Sequence, residues 1–511
     1  MSRTSNSIRN FLFGTAGHFL GYLFNFITRK IFVVYLSVEY LGLNGLFSNI
    51  LSVLSLMELG IGTAICYSLY HPLAFDEKHK IVALMQFYRK AYTLIGSLVI
   101  VIGLSLTPLL PSLLGEIPDI QYISLIYALF VINSGSTYFL SYKRTILVAD
   151  QKKYIDTNYQ YGFQVLRSLI QIGVLVLTKN YILFLCVMLA ITLLENLSIT
   201  RKINSLYPYL VKKDKVALEP TERTQIKKNV FALTFHKMGG VIVNGTDNIL
   251  IVKFISLASA GIYSNYIMII TALNSVVSIA FNSISASIGN LAVEQHGEGS
   301  KAFFDQLNFV TAWIYGFSSI CLYVLFNQFI TLWLGSEFLF AMPIVFVIII
   351  NFYLGGMLRP VRTFNASMGL FWFDRYKPIF ESIINLVASI LLAIKYGFIG
   401  IIIGTTISTL TTCFWFEPYV LFKHGFELNV SSYFLKYVKY LIISLLAGFI
   451  TQMVVHFNHI EGMVGAFLLN VVICAVVPNL FFLLVYYPMR EFQYLRALGM
   501  KLIQAVEGRR E

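Results

Sequence analysis

Four arginines stand inside long apolar runs of this sequence, and a guanidinium at such a depth is suited to holding an anion. Arg29 lies in FLFGTAGHFLGYLFNFITRKIFVVYL, Arg167 in YQYGFQVLRSLIQIGVL, and Arg359 and Arg362 in INFYLGGMLRPVRTFNASMG. Each planar fork of donors can bind two anionic oxygens, so arginines lining an aqueous cavity fit a diphosphate or an acidic sugar. For Arg359 and Arg362 a second reading is that the side chains reach the cytoplasmic headgroups. Two acids share the setting, Glu58 in MELGIG and Asp247. Each is a candidate for coupling transport to a proton or sodium ion, and each is equally a candidate fixed counter-ion, Glu58 for Arg29.

The first helix carries more of this polar face. His18, Tyr22, Asn25 and Arg29 follow at spacings of four, three and four, and His236, Gly240, Asn244 and Asp247, at four, four and three, form a similar helical face. Such a stripe is excluded from lipid, because a charged group at the membrane centre costs on the order of 3 kcal/mol on insertion scales. It must face a water-filled cavity or a partner helix, the latter as a buried structural network. Catalytic signals are missing: there is no GxxxxGK[ST] loop for ATP and no HExxH or other metal-ligand spacing among the histidines. Cys66, Cys186, Cys321, Cys413 and Cys474 all sit in apolar segments without a CxxC pair and read as small buried hydrophobes. Neither an enzyme nor a cofactor is expected, apart from a coupling ion.

The elements that position these residues follow from composition. With 57% hydrophobic and 12% charged residues over 511, the chain reads as an all-α polytopic membrane protein. Apolar runs give about 14 spans, beginning near Phe11, Gly42, Gln86, Gln121, Thr157, Tyr181, Lys228, Ile262, Asp305, Ala341, Phe380, Gly400, Tyr433 and Gly462. The net charge of +13 resides mainly in alternate short loops, which places both termini in the cytoplasm and argues against nucleic acid as a partner.

Sliding the sequence by about 218 residues lays Phe11–Leu36 on Asn229–Phe254, matching His18 with His236 and Thr28 with Thr246; after a one-residue adjustment YLGLNG from Tyr40 falls on SAGIYS from Ser259. Two homologous halves are therefore expected. They are a six-helix lobe over 1–203, a basic cytoplasmic linker over 204–228 and a second lobe over 229–424. A helix pair and cytoplasmic tail follow over 425–511. Six crossings return the chain to its starting side, so the repeat is parallel, with a cavity expected between the lobes.

The tract YLGLNGLFSNILSVLSLMELGIGTAICYSLY, the tract FNQFITLWLG from Phe326 and the segment SISASIGNLAVEQ from Ser283 resemble the Wzx-type polysaccharide transporters. These are flippases of bacterial surface polysaccharide synthesis in the multidrug/oligosaccharidyl-lipid/polysaccharide exporter superfamily. The resemblance covers nearly the whole chain; its motifs mark the superfamily better than the substrate. It implies two six-helix lobes around a central cavity and alternating access in the bacterial cytoplasmic membrane. The implied substrate is an undecaprenyl-diphosphate-linked oligosaccharide repeat unit for capsule, exopolysaccharide or O-antigen. Membrane lipids, the polymerase and the glycosyltransferases of the pathway are the implied partners. Family cavities are cationic, which Arg29, Arg167, Arg359 and Arg362 match by type and depth, and an ion gradient would act through Glu58 or Asp247. Three rival readings remain. A drug or metabolite antiporter of the same superfamily calls for an anionic cavity where cationic drugs are carried. A polymerase needs a large outer loop. A scaffold of a polysaccharide-synthesis complex would not need the arginines at all.

Overall fold

Backbone amides inside a bilayer find no water, so a chain this apolar must satisfy them within its own helices. The computed structural model describes residues 3–58, 61–114, 120–211, 246–294, 298–370, 373–458 and 460–507, with 218 and 224 besides, and among them every regular element is helical. Eleven of the described helices are long and apolar enough to cross a membrane, and the apolar helix Val38–Leu54 is shorter. The protein is thus a multi-pass, all-α membrane protein.

Two compact units divide at 265/266. The first contains α1 (Arg3–Tyr35), α2 (Val38–Leu54), α3 (Ile61–Ala74), α4 (Lys78–Ser105), α5 (Leu110–Leu114), α6 (Ile123–Ser141), α7 (Arg144–Ala149), α8 (Lys153–Thr178) and α9 (Tyr181–Leu206). It also holds the start of α10 (Leu257–Glu294). Within it α1 packs along α8, and α6 lies against both α4 and α9. The second unit contains α11 (Glu298–Trp333), α12 (Met342–Met357), α13 (Arg359–Ser367), α14 (Lys377–Tyr396), α15 (Phe398–Ser408) and α16 (Phe414–Val420), then α17 (Ser431–His456), α18 (Met463–Tyr486) and α19 (Arg490–Glu507). Here α14 and α15 form a close hairpin whose turn is Gly397, at φ +61°, a conformation that suits glycine.

Three spans depart from simple helices, each for a local reason. The second, expected to run unbroken past Glu58, tightens into a 3-10 turn over Ser55–Glu58. Just before the turn and at its first residue, the hydroxyls of Ser52 and Ser55 donate back to the carbonyls of Ser48 and Ser52, an arrangement that bends helices. The run containing Pro360 breaks as its missing N–H requires, and the break falls at Leu358. Pro360 is tolerated in the first turn of α13, so Arg359 and Arg362 both belong to the segment after the break. Between α15 and α16, Thr409–Cys413 is wound as a π-turn.

The start of α2 crosses the start of α10 with almost no space between the backbones. A Cβ on Gly42 would lie 2.1 Å from the Leu257 carbonyl oxygen, and one on Gly261 would lie 2.4 Å from the Val38 carbonyl oxygen. Gly42 and Gly261 are the very positions that the internal sequence match superposes, and they meet each other. Small residues let membrane helices approach this closely. Gly42→Val is therefore expected to lower stability by about 1–3 kcal/mol through overpacking, read as a lower thermal midpoint of the purified protein, while Gly42→Ala does so less.

Candidate functional site

The polar face of α1 is turned toward α8. Tyr161 and Gln164 of α8 lie against Gly17 and Gly21, where α1 has no side chain to hold them off. The His18 ring meets the Tyr161 ring edge-on at 5.5 Å. Gln164 Nε2 donates to Asn25 Oδ1 and to the Gly21 carbonyl, each at 3.3 Å. His18 and Asn25 thus contact a partner helix at their depth, although Asn25 stays exposed.

Arg29 lies nearly three turns beyond His18 on the same helix. Its Nη1 donates to Ser264 Oγ at 3.2 Å, and that hydroxyl donates to the Gly261 carbonyl at 2.7 Å. Glu58 is not its counter-ion: the Glu58 carboxylate accepts a hydrogen bond from the Tyr92 hydroxyl. Asp247 lies close to Tyr263 in the helical stretch that begins at 246. His236, the counterpart of His18 in the sequence repeat, and Asn244 lie outside the described residues.

Arg167 projects from α8. Its apolar neighbours in sequence cannot neutralise it, but Glu195 on α9 exerts an attractive charge on it. The same carboxylate accepts from Arg144 Nη2 at 2.7 Å, while Arg144 Nη1 reaches Asp156 at 3.0 Å. Arg167 therefore belongs to a region that supplies its own acids.

In the second unit the two arginines of α13 have different fates. Arg362 Nε donates to Glu417 Oε2 at 2.8 Å, and Lys377 Nζ meets Glu417 Oε1 at 2.5 Å and Glu381 at 3.4 Å. Glu417 is only 2% exposed, and Asn365 Nδ2 donates to its backbone carbonyl at 3.2 Å. Arg362 is thereby charge-compensated. Arg359, one turn away, finds neutral acceptors among the described residues: Nη1 donates to Ser278 Oγ at 2.6 Å and Nη2 reaches Asn274 Oδ1 at 3.5 Å. Tyr315 donates its hydroxyl to the same Asn274 oxygen at 2.8 Å, and the Phe281 ring lies 5.9 Å from the guanidinium. The buried Nε of Arg359 has no acceptor.

The four arginines therefore separate into two kinds. Among the described residues no carboxylate lies within ion-pair distance of Arg29 or Arg359, whereas Arg362 is paired and Arg167 has Glu195 nearby. Among the described residues, Arg29 in the first unit and Arg359 in the second are guanidiniums whose hydrogen-bond partners are serine and asparagine oxygens. A cation held this way carries its full charge toward whatever anion reaches it, because no fixed acid cancels the field. Sequence reasoning missed Glu417, Lys377 and the Arg144 cluster. The available signal was Glu417 itself, a lone carboxylate in the apolar run TTCFWFEPYVL.

No family model and no curated protein matches the chain. Solved structures do. A lipid II flippase, MurJ, in an inward closed conformation superposes with a TM-score of 0.66 at 15% identity, covering 95% of this chain and 99% of its own. An inward-facing multidrug resistance MATE transporter of the MOP superfamily gives 0.61 at 13% identity, covering 78% of this chain and 94% of its own. The Vibrio cholerae MATE transporter VcmN gives 0.58 at 12% identity over 84% and 99%. These proteins are flippases and transporters, not enzymes, and what they share with this chain is architecture. The protein is accordingly a multi-pass membrane protein whose fold is the one these solved structures share.

Proposed function

We propose that this protein is a flippase for undecaprenyl-diphosphate-linked oligosaccharide repeat units in bacterial surface polysaccharide synthesis. It moves them from the cytoplasmic to the outer leaflet of the cytoplasmic membrane by alternating access, with both of its termini in the cytoplasm. The observation that carries the reading is the pair of uncompensated guanidiniums, Arg29 in one unit and Arg359 in the other. A diphosphate and several sugar hydroxyls face a hydrocarbon layer about 30 Å thick, where each unsatisfied polar group costs several kcal/mol. Arginines at membrane depth lower that barrier by replacing the water around the phosphates, and no bond need be broken. One of the proteins with the same fold is a lipid II flippase, which agrees with a lipid-linked substrate.

In this reading the glycosyltransferases of the pathway supply the substrate and its polymerase consumes the product. Glu58 and Asp247 are the candidate groups for coupling to a proton or sodium ion. The MATE likeness favours a second reading, a drug exporter of the same superfamily. Vesicles containing the purified protein separate the two. A fluorescent lipid-linked oligosaccharide is expected to become accessible from the opposite leaflet, with no uptake of a cationic dye; dye uptake without lipid movement would favour the exporter.

A further inference from the structure

A stripe on α4 plays no part in the site described above. Residues 82, 85, 86, 89, 90, 93, 94 and 97 recur at helical spacing and form one wall of a cavity of about 830 Å³ within the first unit. The chain just after α6, at Tyr142 and Lys143, and the chain after α9, at Leu210 and Val211, complete it.

Its depth follows from the sequence. From Ala91 to Leu114 there is no charged residue, a run long enough to cross a hydrocarbon layer of about 30 Å, and α6 returns across the same layer equally free of charge. Arg89 and Lys90, just before the first crossing, and Lys143, just after the second, therefore mark one and the same membrane boundary. The many basic loops on that side identify it as cytoplasmic.

Three cations meet there. Among the described residues no carboxylate lines the cavity and none pairs with Arg89, Lys90 or Lys143. Lys143 Nζ donates to the neutral Asn204 Oδ1 at 2.7 Å. Burial, and secondarily the positive charge of Arg89, hold the Lys143 ammonium below its usual pKa. An anion placed between them relieves that repulsion. Deeper along the stripe Thr93 and Ser97 offer hydroxyls and Leu94 an apolar surface, reaching about 12 Å past Arg89 at 1.5 Å per residue.

We infer that this cavity binds the phosphate headgroup of an anionic phospholipid of the cytoplasmic leaflet, with its glycerol oxygens at Thr93 and Ser97 and its chains continuing past Leu94. Basic pockets between spanning helices on the cytoplasmic side recognise such headgroups. A soluble phosphate would have no use for the apolar inner part. The site shares no residue with Arg29 or Arg359, so its failure would leave the transport reading intact.

Lipid titrations of the detergent-purified full-length protein, followed by native mass spectrometry, test it with phosphatidylglycerol, phosphatidylethanolamine and inorganic phosphate. Phosphatidylglycerol is expected to bind in preference to phosphatidylethanolamine and to resist competition by inorganic phosphate. The exposed pair Arg89→Gln/Lys90→Gln is expected to weaken it about 30-fold, or roughly 2 kcal/mol for two interfacial charges. Arg490→Gln/Arg496→Gln, which removes the same charge from exposed positions on α19, is expected to leave the affinity within about threefold. Equal losses in both double variants, equal binding of the two lipids, or full displacement by inorganic phosphate would each overturn the inference.

Discussion

Arg359→Gln is expected to reduce the initial rate of lipid-linked oligosaccharide flipping by about 30-fold at subsaturating substrate, and Arg29→Gln by a similar factor. A hydrogen bond from a charged donor is worth about 1.5–3 kcal/mol, and each tenfold change in affinity corresponds to about 1.4 kcal/mol. The loss should not come from unfolding. Among the described residues Arg359 bonds to Ser278 and Asn274 and Arg29 to Ser264, with no carboxylate among these partners, so glutamine leaves no carboxylate stranded. Thermal midpoints close to that of the parent protein are expected for both. Arg359→Lys should fall between, since a lysine keeps the charge but loses the planar fork that matches a phosphate. A variant that unfolds in parallel with its loss of transport would mean that the arginine is a structural group.

The reverse is expected at Glu417. Glu417→Gln removes the carboxylate that Arg362 and Lys377 share and leaves two cations facing each other beside a buried amide. Breaking a buried pair by removing one partner costs about 3–5 kcal/mol, and Glu381 at 3.4 Å from Lys377 offsets only part of it. A large drop in thermal midpoint is expected. Replacing all three, as Arg362→Met/Lys377→Met/Glu417→Leu, should restore much of the stability, because an apolar triad needs no compensation. If Glu417→Gln is as stable as the parent protein, the triad does not hold the second unit together.

These two outcomes contrast because of pairing, and pairing is what the sequence conceals. A charge inside an apolar run is visible in one dimension, so Arg29, Arg167, Arg359 and Arg362 could all be picked out with their helical faces. The acid that neutralises Arg362 lies 55 positions away on another helix, and no spacing rule connects them. The same holds for Arg167 and Glu195. The membrane-spanning, all-helical class was legible because the bilayer imposes long apolar runs whatever the tertiary detail. The break at Ser55–Glu58 was not, since MELGIG has no proline to announce it and the bending comes from serine hydroxyls upstream. The match of Gly42 with Gly261 could be read as a repeat, but only the fold reveals that the two glycines touch. For Glu58 the sequence left a coupling group and a counter-ion for Arg29 equally open, and its hydrogen bond from the Tyr92 hydroxyl has no signal in one dimension.

The binding of a polyprenyl-diphosphate lipid to the purified protein, compared between the parent chain and Arg29→Gln/Arg359→Gln, tests the central claim most directly. Two charge-assisted contacts predict an affinity at least about 100-fold weaker in the double variant, with the fold retained. An unchanged affinity in a properly folded double variant would contradict the claim that these two unpaired guanidiniums receive the phosphates.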